Sequence, residues 1–165
     1  MKTKRRFIQA MVIGSIGAVG ASALPNAALA QECAPFEVFA KDWKRGVYPD
    51  GEAVVGTKRA GTRRLHDESG EGVGLYTYAA TVVEVQENGE TILNVTRTWT
   101  LQDGTLVGVG MIAHPDAVDI NVQPDQIGSV VVGGTGVFRG AHGSVEMRAP
   151  NGDGDRMVSF DISCD

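Results

Sequence analysis

Apolar and polar residues alternate with a period of two along most of this chain, as they do in strands that bury one face. The alternation is cleanest from Glu90 to Leu101. Leu93, Val95, Arg97, Trp99 and Leu101 fall on one face, and Ile92, Asn94, Thr96, Thr98 and Thr100 on the other. The first face is the one to bury, and Arg97 interrupts it. Leu75 to Val85 reads as a partner strand, joined through Glu87-Asn88-Gly89-Glu90, a strong hairpin signal. Asp103-Gly104 turns the chain into a third strand, Thr105 to Ile112. Ile127 to Val132, Ala141 to Arg148 and Arg156 to Cys164 supply three more, the last two joined by the turn Pro150-Asn151-Gly152-Asp153-Gly154. Phe36 to Trp43 and Thr62 to Asp67 are shorter strands, and His114 to Pro124 is the least regular connection. No amphipathic helix of three turns follows residue 30.

About eight strands in succession predict an all-β barrel or sandwich. Closure into an eight-stranded antiparallel barrel is favoured because it removes exposed edges. Such a barrel is either filled by its own side chains or holds one small ligand.

The glycine-rich stretch Gly133-Gly134-Thr135-Gly136-Val137-Phe138-Arg139-Gly140-Ala141-His142-Gly143 has two readings. One is a dinucleotide-binding turn, which requires a helix immediately afterwards to hold the phosphate. The other is a corner of a β fold, where glycine permits positive φ and close backbone contact. The residues after it, Ala141 to Arg148, alternate with period two. The β-corner is therefore the expectation.

Two further blocks complete a pattern: His66-Asp67-x-x-Gly70-x-x-x-Gly74, and Leu101-x-Asp103-Gly104-Thr105-Leu106-x-Gly108-x-Gly110. With the turn motif of Gly133, Gly134, Thr135, Gly136, Phe138, Gly140, Ala141 and Gly143, they resemble the superfamily of allene oxide cyclases and plant dirigent proteins, over about residues 60 to 163. The resemblance implies a calycin-like eight-stranded barrel with an apolar central cavity, and it allows a homotrimer, the assembly common in the plant proteins. Characterised relatives steer the cyclisation or coupling of a reactive small molecule by holding it in one conformation and excluding water. The shared motifs are turns, so none of the plant enzymes' active residues transfers to a numbered position here, and a shared fold does not fix an activity.

The ends of the chain bear on where it works. Lys2, Lys4, Arg5 and Arg6 form a basic start, Phe7 to Leu24 is largely apolar, and Ala28-Leu29-Ala30 has the form of a cleavage site. Residues 1–30 are thus expected to be a secretory signal peptide, leaving residues 31–165 as one β-barrel domain of about modal size. Gly, Ala and Ser within the apolar run, with Pro25 and Asn26 after it, disfavour a membrane anchor. Thr3-Lys4-Arg5-Arg6-Phe7-Ile8-Gln9 resembles a twin-arginine signal with Lys4 in place of the first arginine, so both general secretion and twin-arginine export stay open. The expected location is the bacterial periplasm or the exterior. Cys33 and Cys164 are the two cysteines, and in an oxidising compartment they are expected to pair.

The net charge is −5, and removing the four basic leader residues makes it more negative. This argues against nucleic acid and anionic membrane surfaces, both of which are bound through Lys and Arg clusters. His66, His114 and His142 lack the spacing of a metal site, and no metal or other cofactor is expected. His66 and His142 fall at turns. No Ser-His-Asp set, paired-carboxylate motif or Walker loop is present.

The ligand-cavity candidates are Tyr76, Tyr78, Glu84, Arg97 and Trp99. Tyr76, Tyr78, Ala80, Val82 and Glu84 share one face of their strand. Both faces carry apolar residues, so which one points inward is undecided. If the tyrosines point inward, Glu84 is placed to pair with Arg97. If they point outward, they form a trimer or partner surface. Independently of that choice, Arg97 has a structural reading in which it sits near the barrel mouth and snorkels. Two functions remain: an exported barrel that binds a small hydrophobic molecule, with or without an isomerase- or cyclase-like step, and a noncatalytic envelope barrel filled by side chains. No catalytic residue is assigned, and a cavity above about 300 Å³ would favour the first.

Overall fold

The computed structural model describes residues 33–46, 53–114, 124 and 126–165. The expected leader and most of the connection after His114 lie outside them. Eight strands are present: β1 (Phe36–Arg45), β2 (Lys58–His66), β3 (Gly72–Val85), β4 (Thr91–Leu101), β5 (Gly104–His114), β6 (Ile127–Gly136), β7 (Ala141–Met147) and β8 (Arg156–Cys164). Each pairs antiparallel with the next, and β8 returns to pair with β1, so the sheet closes into a barrel-like ring. Among the described residues no helix is long and apolar enough to cross a membrane.

Alternation sets the inside of the ring. In β4, Leu93, Val95, Arg97, Trp99 and Leu101 are all buried, and in β8 so are Arg156, Val158, Phe160 and Ile162. Two clusters fill the interior. The larger packs Trp99, Leu101, Leu106, Phe138, Phe160 and Leu65 with their neighbours, and Phe36 stacks on Phe160 at 4.3 Å between ring centres. The smaller joins Ala80, Val82, Leu93 and Val95. Tyr78 touches both. Cys33, just before β1, is bonded to Cys164 at the end of β8, with Cα atoms 5.8 Å apart.

The glycine block is a β-corner. β6 runs on through Gly133 and Gly134 to Gly136, the turn 137–140 follows, and β7 begins at Ala141. Gly136 has φ of 64°, and a side chain there would collide with the Asp103 carbonyl. Phe138 points into the core and is completely buried, sealing this end of the ring.

Two departures from the sequence reading bear on the site. β2 starts at Lys58, four residues earlier than expected, because its inward positions are Arg59, Gly61 and Arg63, which carry no apolar signal. In β3 a register shift against β4 between Val82 and Glu84 inserts an extra residue, so the inward phase ends at Val82.

Candidate functional site

Between the two clusters lies an interior cavity of about 80 Å³. Its walls combine apolar side chains, such as Leu93, Val95, Ile112 and Met147, with the aromatic rings of Trp43, Tyr76 and Tyr78. Arg59, Arg63, Arg97 and Arg156 add four guanidinium groups, all buried, and His114 adds an imidazole. Among the described residues no Asp or Glu lines this cavity.

Each arginine arrives by strand phase. Arg63 faces Tyr76 across the β2–β3 pair, and Arg59 faces Ala80. Arg97 faces Tyr78 across β3–β4 and Gly108 across β4–β5. Arg156 pairs with Ala40 of β1. Trp43 reaches the cavity by another route. The β1–β2 register shifts between Lys41 and Lys44, and Asp42 adopts φ of 51°, which re-aims the following side chain inward. Its indole then stacks on Tyr78 at 5.6 Å with the planes 8° apart, and Arg63 lies over the indole at 5.1 Å. Gly61 makes this stacking possible, since a Cβ there would sit within the Trp43 ring.

The guanidiniums are held by backbone carbonyls. Arg63 donates from Nη1 to the carbonyls of Gly154 at 2.7 Å and Ala40 at 3.3 Å. Arg156 donates to Arg148 O at 2.9 Å and Pro124 O at 2.8 Å. Arg97 donates from Nη1 to Gly128 O at 3.3 Å and to the Ser129 hydroxyl. Its Nε and Nη2 are buried and make no hydrogen bond. Gly110 leaves room for this side chain: a Cβ would come within 3.3 Å of Nη1 and 2.9 Å of Gly128 O.

Tyr76 sits among these charges. Burial pushes its phenol pKa above the ordinary value of 10.0, against the opposing pull of Arg97, Arg63 and Arg156. The phenol therefore stays protonated and keeps its donor, beside a guanidinium that stabilises negative charge. A site of this kind can hold an oxyanion, or the negative charge that develops on a substrate oxygen during reaction, with little reorganisation.

Of the five sequence candidates, Tyr76, Tyr78 and Arg97 line the cavity, while Trp99 stacks on Tyr76 within the larger cluster. Glu84 does not belong with them. The extra residue in β3 leaves it exposed, and Arg97 instead donates to Gly128 O and Ser129 Oγ of β6 and lies beside the Tyr76 hydroxyl. His66 is the last residue of β2 and His142 the second of β7, so they are strand-end residues and not turn residues as expected; neither lines the cavity, and their Nδ1 atoms meet Gly70 O at 3.0 Å and Gly140 O at 3.3 Å. Arg59, Arg63, Arg156, Trp43 and His114 were not singled out by the sequence. Arg156 was in phase with Val158 and Phe160, and Arg63 with Leu65, so alternation contained that signal. The bulge concealed Trp43. The described residues contain no group of three or more His, Cys, Asp or Glu suited to a metal ion.

No family model matches the sequence, and no curated protein does. Solved structures do match in shape. A pyocyanin demethylase superposes with a TM-score of 0.62 at 14% identity, over 78% of this chain and 99% of that one. The pterocarpan synthase dirigent protein GePTS1 gives 0.52 at 20% identity, over 78% and 81%. The exo-specific intermolecular Diels-Alderase AbnU gives 0.52 at 19% identity, over 78% and 98%. At these identities the likeness is one of fold. It includes a dirigent protein, the kind of fold that the three motif blocks resemble.

Proposed function

We propose that this chain is a small ligand-binding barrel of the allene oxide cyclase and dirigent type, which takes a small organic molecule into the arginine- and aromatic-lined cavity and steers its cyclisation or isomerisation. The observation that carries this reading is the convergence of Arg97, Arg63 and Arg156 on the Tyr76 phenol inside an otherwise apolar ring. Two structural neighbours are by name Diels-Alderases. In such a site the aromatic wall orients the substrate, and the guanidiniums and the Tyr76 hydroxyl stabilise negative charge on one of its oxygens. Exclusion of water strengthens each of those interactions.

A second reading, a noncatalytic barrel filled by its own side chains, is favoured by one observation. The cavity of about 80 Å³ falls well below the roughly 300 Å³ of ordinary ligand pockets. The arginine stems and the Trp43–Tyr78 stack occupy the space. Under the first reading a substrate therefore inserts only part of itself, or these side chains shift to admit it. Thermal unfolding in the presence of a small-molecule library separates the two. A ligand of the cavity raises Tm in a concentration-dependent way, whereas a filled barrel gives no shift with any compound.

We further propose export. The disulfide between Cys33 and Cys164 suits an oxidising compartment, and residues 1–30 have the form of a leader. N-terminal sequencing of protein from the periplasm or medium is expected to begin at Gln31, and a chain retained intact in the cytoplasm would refute it.

A further inference from the structure

We infer that the cavity receives an organic carboxylate, seated side-on against Nε and Nη2 of Arg97. The inference rests on the ligand-binding reading above and specifies the chemical class of the ligand. Its basis is which edge of the guanidinium is left over. Nη1 is engaged by Gly128 O and Ser129 Oγ on β6, which fixes the plane of the group. The two nitrogens without a partner are Nε and Nη2, the pair whose N–H bonds run parallel and match the two oxygens of one carboxylate. Arg97 is 1% exposed, so this edge is shielded from bulk solvent. A buried cation with two unmade hydrogen bonds is costly unless an anion is brought to it.

The surroundings narrow the anion. Arg59, Arg63 and Arg156 also line the cavity, and their positive charge favours an anion over a neutral amide of the same shape. The space is small, about 80 Å³. That suits a carboxylate and one or two carbons. The Trp43–Tyr78–Tyr76 stack continues from it as an aromatic wall, and Trp43 and Arg63 also line a depression at the ring's rim. The acid with the best fit is thus one whose carboxylate enters the ring and whose flat, apolar body follows that wall outward.

The test uses the disulfide-bonded protein with four probes in two matched pairs: propionate and propionamide, then 3-phenylpropionate and 3-phenylpropionamide. Inorganic sulfate is the fifth. Calorimetry gives affinities, and the ¹⁵N–¹H resonance of the Arg97 Nε–H reports the contact directly. Each acid is expected to bind about tenfold tighter than its amide, with the phenyl acid the tighter of the two, and the Arg97 resonance is expected to shift with the acids alone. Arg97→Gln is expected to remove the preference for acid over amide. Arg97→Lys, which keeps the charge but loses the parallel N–H pair, is expected to retain part of it. If neither variant folds, the wild-type comparison of acid with amide and the resonance shift still decide the matter. Equal binding of acids and amides would overturn the inference while leaving the ligand-binding reading intact. Binding of none of the five would overturn the inference, and the thermal screen above would still decide the ligand-binding reading. A response of Arg97 to sulfate but to neither acid would make this an inorganic-anion site and overturn the organic acid.

Discussion

Tyr76 is the residue on which the electrostatics of the interior converge, and its behaviour with pH follows from its position. Burial raises its pKa above 10.0, with Arg97, Arg63 and Arg156 acting in the opposite direction. Above pH 10 the unfolded chain therefore releases this proton while the folded chain keeps it, and stability falls as pH rises from there towards the folded-state pKa. Below pH 10 both states are protonated, and the contribution does not vary. Tyr76→Phe removes this alkaline slope. Urea unfolding at pH 8 and at about pH 11 is expected to show a smaller loss of stability for the variant than for the wild type, and equal losses would refute the assignment. At pH 8 the variant is expected to be about 1 kcal/mol less stable, from the loss of one buried polar interaction.

At the scale of elements, what was legible and what was not have the same cause. β4 read true from end to end because four of its six inward residues are apolar, and the glycine corner read true because the strand after it alternates. β2 was truncated to its last few residues, since a strand that turns Arg59, Gly61 and Arg63 inward looks like surface. Most of the candidate site was hidden for that reason: a cavity lined with cations inverts the rule that alternation relies on. The two irregularities, at Asp42 in β1 and before Glu84 in β3, displaced Trp43 and Glu84 from the faces that strict alternation assigns. They are pairing events, and a single strand's sequence does not contain them. The approach of β1 to β2 through Gly61 is the local condition for the aromatic wall. Gly61→Ala places a methyl group against the Trp43 ring and is expected to cost about 1–3 kcal/mol by overpacking. It should also change the near-ultraviolet circular dichroism of the Trp43–Tyr78 stack. An unchanged spectrum with unchanged stability would show that the stack does not depend on this glycine.

For the whole molecule, the ring has one seam that the order of the chain does not help to close. Every other pair joins strands consecutive in sequence, whereas β1 and β8 bring together opposite ends of the ring. Their pairing is confined to Phe36–Ala40 against Arg156–Phe160. The cavity depends on this seam, because Arg156 lies at its edge opposite Ala40 and donates from there to Pro124 O. The Cys33–Cys164 bond sits at the other end of the seam, beside Phe36, and spans 131 residues of sequence. A loop of that length is costly to close by pairing alone, and the bond removes about 4–5 kcal/mol of that entropy from the unfolded chain. The double variant Cys33→Ser/Cys164→Ser is accordingly expected to lose up to this amount in denaturant unfolding. The loss should also be uneven. Amide exchange is expected to rise first in residues 36–40 and 156–160, with the β3–β4–β5 meander, built from adjacent hairpins, least affected. Uniform loss of protection around the ring would mean that the seam is no weaker than the hairpins and that the bond stabilises the fold as a whole. Exchange confined to the seam would tie the integrity of the arginine cavity to the oxidation state of two residues outside it.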